Sequence, residues 1–371
     1  MEANMIQSSP FELNFNDLLR QAVRRGASDL HIEPFEDRLA IRVRVDGILL
    51  SLQELSDERY IERFLLQAKR ACRFDMAKFG VPQDARFQAS DVEFDVRASL
   101  LPTLHGEKMV LRLLERNKRF SLEEYAAPDE AKRCLRQMLE KWQGMVLVTG
   151  PTGSGKTTLL YSALAEINRE TNNVHTLEDP VEYTLDGVVQ TQIQRGGLRF
   201  ADALAALMRQ DPDCILVGEI RDQETAEAAL HAASTGHLVM STVHANSAKE
   251  SIERLVGLGV SRELVETNLL FASAQRLVPR NCPNCRVADS ENIALVQSAF
   301  GVDVVPQKSI GCDECDGSGV KGRVLLFEYL SKENSHSFES KTLVQHGSLR
   351  AHALDALKKG EIHAQSACAF D

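Results

Sequence analysis

The sequence predicts an α/β protein in successive parts: an α+β domain, a parallel sheet covered by helices, and a C-terminal region organised around paired cysteines. Three observations carry this. Short apolar runs alternate with helical patterns over residues 130–274, as a parallel sheet with crossover helices requires. A glycine-rich loop, GPTGSGKT at 150–157, follows one apolar run and opens a helical segment. Two Cys-x-x-Cys pairs come after the alternating region, separated by residues 286–311.

The first part, residues 11–116, opens on a helical pattern of Phe15, Leu18, Leu19 and Val23. Strand-like runs follow at 39–45, 92–97 and 108–114, which makes an α+β domain. Residues 117–129 are polar, contain Pro128, and read as a linker. The second part, 130–274, has candidate strands at 145–148, 174–177, 215–217 and 238–241. The third, 275–371, holds the cysteine pairs. After Leu330 the pattern is weak, and only some helix is expected there.

The chain has 371 residues, of which 43% are hydrophobic and 26% charged, material for two or three globular domains. No stretch approaches the roughly 18 to 20 uninterrupted apolar residues of a membrane span. The opening MEANMIQSSPFELN lacks the basic, apolar and small-residue order of a signal peptide. A cytoplasmic protein is expected, with any membrane role peripheral. A net charge of -10 argues against stable nucleic-acid binding. Of the eight cysteines, Cys72, Cys134, Cys214 and Cys368 are scattered.

In the glycine-rich loop, Gly150, Pro151, Thr152, Gly153, Ser154 and Gly155 would turn backbone N–H groups around a β-phosphate, aided by the helix N-terminus. Lys156 would reach the β- and γ-phosphates of ATP, and the Thr157 hydroxyl would complete a Mg²⁺ shell. Thr158 continues the site. A chance glycine-rich turn is the alternative, and the flanking strand and helix argue against it.

Open α/β sheets bind ligands at the carboxyl ends of their strands. Polar groups recur at those ends here. Run 174–177 leads into Glu178-Asp179-Pro180-Val181-Glu182, run 215–217 into Gly218 and Glu219, then Arg221 and Asp222, and run 238–241 into Thr242 and His244. One acid would hold the metal and another would activate water; the residues alone leave open which does which. His244 is either a structural hydrogen-bonding residue or a γ-phosphate sensor.

Cys282-Pro-Asn-Cys285 and Cys312-Asp-Glu-Cys315 offer four thiolates at a spacing that suits a closed structural Zn²⁺ site. The gap between the pairs is long for a zinc ribbon, so an inserted hairpin or helix is expected. A redox role is the alternative.

Residues 150–158, 176–183 (TLEDPVEY), 209–222 (RQDPDCILVGEIRD) and 235–246 (TGHLVMSTVHAN) resemble the Walker A, Asp-box, Walker B and His-box motifs of the secretion ATPases that drive type II secretion and type IV pilus assembly. Residues 28–34 (SDLHIEP), 42–47 (RVRVDG), 82–86 and 95–114 resemble the N-terminal half of the same family, so the likeness spans about 25–330. It implies a PAS-like domain joined flexibly to a RecA-like domain, in homo-hexameric rings acting on an inner-membrane platform protein. It implies that Glu178 activates water, that Glu219 serves Mg²⁺ and that His244 senses phosphate. Arg97 and Arg112, with Arg86 as a further candidate, would engage phosphates from the N-terminal domain, although a salt bridge is the bland reading of each. Ala85, Leu159 and Ala245 depart from the usual residues without removing a group the chemistry needs. The resemblance also implies a short form without an extra N-terminal docking domain, and the Cys₄ module points to assembly rather than retraction. The alternatives are a DNA-uptake or DNA-translocating ATPase and a weakly active regulatory scaffold.

Overall fold

The computed structural model describes residues 14–89, 93–116, 118–167, 169–193, 197–332 and 343–370. Residues 11–13, Val92 and Asn117, which the sequence reading put in the first domain, a strand run and the linker, lie outside them. The chain divides into two compact units between Lys118 and Arg119.

The first unit begins with α1 (Phe15–Arg24), whose Phe15, Leu18, Leu19 and Ala22 form one buried stripe. The Asn14 side chain caps it by accepting from the Asn16 N–H. Then follow β1 (Asp29–Pro34), β2 (Leu39–Val45), β3 (Ile48–Leu55), α2 (Glu58–Ala71), β4 (Gln83–Ala89), β5 (Phe94–Thr103) and β6 (Gly106–Glu115). The strands pair antiparallel in the order β3-β2-β1-β6-β5-β4. One sheet face carries Leu30, Ile32, Ile41, Val43, Val96, Ala98, Met109 and Leu111, which pack with the buried stripes of α1 and α2. The other face is charged. Cross-strand pairing sets Arg86, Arg97, Arg112, Asp29 and Arg44 in one row across β4, β5, β6, β1 and β2.

The second unit holds α3 (Asp129–Leu139), β7 (Gly144–Thr149), α4 (Lys156–Glu166), β8 (Val174–Glu178), β9 (Val189–Gln192), α5 (Phe200–Leu207), β10 (Cys214–Val217), α6 (Gln223–Ser234), β11 (Leu238–Val243), α7 (Ala248–Gly257), α8 (Arg262–Asn268) and β12 (Leu269–Asn281). It continues through β13 (Arg286–Ala288), α9 (Ile293–Phe300), β14 (Gln307–Ser309), β15 (Val320–Lys332), β16 (Leu343–His346), α10 (Leu349–Lys358) and α11 (Ala364–Cys368). The main sheet runs β16-β15-β12-β7-β11-β10-β8-β9. From β12 to β9 the neighbours are parallel, and β15 and β16 add an antiparallel edge.

Every residue of β7, β8, β10 and β11 is buried, and β7 and β10 are almost wholly apolar, because both faces are covered. Met145 and Leu147 of β7 enter one core, Val146 and Val148 the other. The expected boundary at residues 274–275 falls inside β12. Leu122 and Ala127, within the expected linker, are buried in the second unit's core. Between the cysteine pairs lies a β13–β14 antiparallel pair with α9 between its strands. Among the described residues, no helix is long and apolar enough to cross a membrane.

Candidate nucleotide site

Four parallel strands, β7, β11, β10 and β8, end side by side at Thr149, Val243, Val217 and Glu178. The phosphate loop leaves β7 and enters α4 through Gly155, which caps the helix at φ 90°. Gly150 has φ 149°, and a Cβ there would stand 2.5 Å from the Gln275 carbonyl oxygen, so glycine is required. Behind the loop, fully buried Gln275 of β12 donates its side-chain amide to the Ser154 carbonyl at 2.7 Å. The Thr149 hydroxyl lies 2.7 Å from the Val243 carbonyl and accepts the Ala245 N–H at 2.8 Å, tying the loop's root to the segment bearing His244.

Lys156 Nζ donates to the Gly150 and Pro151 carbonyls at 2.9 and 3.0 Å, which holds the ammonium across the loop. Its pKa is lowered, chiefly by burial, against an opposing pull from the nearby Glu219 carboxylate. Glu219 accepts from Arg221 Nη2 at 2.8 Å and lies 2.8 Å from His244 Nε2. At the strand ends Glu219 therefore contacts His244 directly and acts on Lys156 through its charge.

Glu178 sits differently. Its carboxylate is buried and accepts from the Tyr161 hydroxyl, the Thr176 hydroxyl at 2.6 Å and the Gln190 amide at 3.1 Å. Three of its roughly four acceptor sites are thus taken by protein donors. That geometry suits holding structure more than taking a proton from water. Glu182, four residues on and half-buried, acts electrostatically on Lys156. Sequence reasoning passed over Tyr161, Gln190 and Gln275, and named Glu182 only as one of the acids that follow the run at 174–177. A polar Gln275 inside an otherwise apolar run was a usable signal; no sequence signal marks which acid of EDPVE faces inward.

In the first unit, Arg97 and Arg112 are directly paired across β5 and β6, and Arg86 faces Arg97 from β4. Arg112 Nε bonds Asp29 Oδ1 at 3.1 Å, and Arg86 bonds Asp95 at 2.9 Å.

The sulfurs of Cys282, Cys285, Cys312 and Cys315 lie within 4.8 Å of one another, with close pairs at 3.7, 3.8 and 4.0 Å. Thiolates about 2.3 Å from a tetrahedral zinc stand roughly 3.8 Å apart, so the set fits that ion. No cysteine is in a disulfide. Burial pushes the Cys315 thiol up, but N–H groups of Cys312 and Gly319 directed at its sulfur bring it down to about 7.

A cavity of about 420 Å³ lined by Arg136, Trp142, Glu166, Asp213 and Leu238 opens at the amino-terminal end of the strands, away from Lys156.

The family described as "Type II/IV secretion system protein" matches residues 5–366. The chain belongs to this family. It is 42% identical over 321 residues to the type II secretion system protein E of Pseudomonas aeruginosa, covering 84% of this chain and 64% of that protein. It is 39% identical over 364 residues to the type II secretion system ATPase E of Vibrio cholerae, covering 93% of this chain and 72% of that protein. The chain thus spans 64% to 72% of the length of these two relatives. A solved structure of the pilus retraction motor PilT with bound ADP is 25% identical, with TM-score 0.65 over 97% of each chain. The Legionella pneumophila ATPase DotB, 23% identical with TM-score 0.72 over 98% of each chain, shares the fold. By family and by loop, this secretion system protein is a P-loop ATPase with the mixed α/β fold of that class.

Proposed function

We propose that this chain hydrolyses ATP to power assembly of a type II secretion pseudopilus or a type IV pilus. It would do so as a homo-hexamer, from the cytoplasmic side of the inner membrane, through a platform protein. The observation that carries this reading is Glu219 in contact with His244 and acting by charge on Lys156 of the phosphate loop, in a chain 42% identical to a type II secretion system protein E.

In this reading residues 150–158 cradle the phosphates through backbone N–H groups, and Lys156 neutralises charge on the β- and γ-oxygens. Thr157 and Glu219 would hold Mg²⁺, which supplies charge stabilisation to the transferring phosphoryl group. Glu182 takes the proton of the attacking water, and His244 reports the γ-phosphate to Glu219. Arg97 and Arg112 add charge from the N-terminal unit when the two units close, which makes hydrolysis depend on movement. The sheet order β3-β2-β1-β6-β5-β4 supports a PAS-like reading of the first unit, and the parallel order β12-β7-β11-β10-β8 a RecA-like reading of the second. Cys282, Cys285, Cys312 and Cys315 would bind one structural zinc, a module that favours assembly over retraction.

The test is ATP turnover by the purified chain with and without the cytoplasmic segment of a platform protein, and with and without DNA. Stimulation by the platform segment and indifference to DNA is expected. Stimulation by DNA alone would replace this reading with DNA translocation.

A further inference from the structure

We propose that Glu178 is a positioning residue, whose buried carboxylate fixes the loop of residues 179–185 and so aims Glu182. The inference rests on the proposed ATP hydrolysis and deepens it.

Glu178 closes β8 with 5% of its surface exposed. Below it, Tyr161 of α4 is fully buried and donates its hydroxyl to the carboxylate. Burial first, and then the Glu178 charge, push the Tyr161 hydroxyl far above its ordinary range, so it stays a donor. Beside it, Gln190 of β9 is the link to the loop. Its amide nitrogen donates to Glu178 at 3.1 Å and to the Tyr183 carbonyl at 2.9 Å, and its oxygen accepts the Leu185 N–H at 2.8 Å. The Ile193 N–H donates to the Glu178 carbonyl at 2.7 Å, which pins β9 to the same residue.

The rings add a second constraint. Tyr161 and Tyr183 stand edge-to-face at 6.3 Å, and Phe120 closes the group at 5.1 Å from Tyr161 and 5.2 Å from Tyr183. Tyr183 directly follows Glu182. One buried charge therefore orders a tyrosine from below and an amide from the side, and both grip the residue next to the acid proposed to act on water. A polar network inside a low-dielectric core is rigid when satisfied and costly when one member is lost. Misplacing a reacting group by about 1 Å costs on the order of a hundredfold in rate.

The experiment compares Glu178→Gln, Tyr161→Phe, Gln190→Leu and the Glu178→Gln/Tyr161→Phe pair in steady-state ATP hydrolysis across pH. Each single change should lower kcat by about ten- to a hundredfold with KM for ATP within about threefold, and should retain the acid limb of the kcat profile. The pair should be no slower than the worse single change, because the groups act as one unit. Wild-type kcat in both Tyr161→Phe and Gln190→Leu overturns the proposal, even if Glu178→Gln does not fold. So does loss of the acid limb in Glu178→Gln alone, which would make Glu178 the base. Inactivity of the unaltered chain, or full turnover in Glu182→Gln, would instead bring down the reading beneath it.

Discussion

His244 Nε2 lies 2.8 Å from Glu219 Oε1, bridging the ends of β11 and β10. The same carboxylate acts on Lys156, so one acid links the phosphate-binding lysine to the histidine. Glu219→Gln keeps the shape and removes the charge. It should cut turnover about a hundredfold or more while still binding Mg²⁺-ATP, read by steady-state kinetics beside a fluorescent-nucleotide titration. His244→Ala should cost less, about tenfold, because it acts on the metal side only through Glu219. Undiminished turnover in Glu219→Gln would remove it from the site.

Arg97 and Arg112 share one sheet face as direct cross-strand partners. If they serve the nucleotide only when the units close, Arg97→Ala and Arg112→Ala should leave ATP affinity within about an order of magnitude and lower turnover about tenfold or more. Mixing Arg97→Ala with Lys156→Ala subunits then asks whose nucleotide they serve. Recovered activity means they work across subunits, and wild-type turnover in both single variants contradicts the role.

The parallel strands were legible because burial on both faces leaves little but Val, Leu, Ile and Met, as in 145–148 and 238–241. The thirteen residues of β12 were not read as a strand, because Gln275, Arg276 and Pro279 interrupt the apolar run. Gln275 is there to hold the phosphate loop, and Pro279 sits at the register shift opposite β15. The C-terminal helices were expected only in outline, without bounds, for another reason. They bury Ala353, Ala356, Ala364 and Ala367, small side chains that give weak periodicity. The loop and the paired cysteines were readable because spacing alone defines them. Which acid of Glu178 and Glu182 faces the core was not, since that depends on Tyr161 and Gln190 arriving from other elements.

About one Zn²⁺ per chain should co-purify under reducing conditions, and Cys282→Ser or Cys315→Ser should release it. The loss should spread to the C-terminal helices. Asn281, next to Cys282, bonds the Glu361 and Gly360 carbonyls, and Arg286, next to Cys285, bonds those of Lys359 and Gly360. Limited proteolysis should therefore cut the variants beyond Lys359 faster than the parent. Metal analysis without zinc would contradict the site.

Glu33 is buried and bonds Arg42 at 2.5 Å and Lys108 at 2.7 Å. Burial pushes its carboxyl up, but the bonds to Lys108 and Arg42 outweigh this and hold it below 4.5. A carboxyl lowered on folding contributes fully above its unfolded value and loses that contribution as pH falls through the folded one. Glu33→Gln should thus lower the melting temperature at pH 7, and lower it by less at an acid pH beneath the ordinary carboxylate range. An equal deficit at both pH values would contradict the ion-pair account.

The most direct measurement is steady-state ATP hydrolysis by the purified chain beside Lys156→Ala, with nucleotide binding and thermal melting measured on both. Lys156 Nζ bonds the loop's own carbonyls, and the residue belongs to no apolar core among the described residues, so the fold should survive. The account predicts turnover in the unaltered chain and a loss of about a thousandfold or more in the variant, with melting little changed. Equal turnover in the two proteins would contradict it.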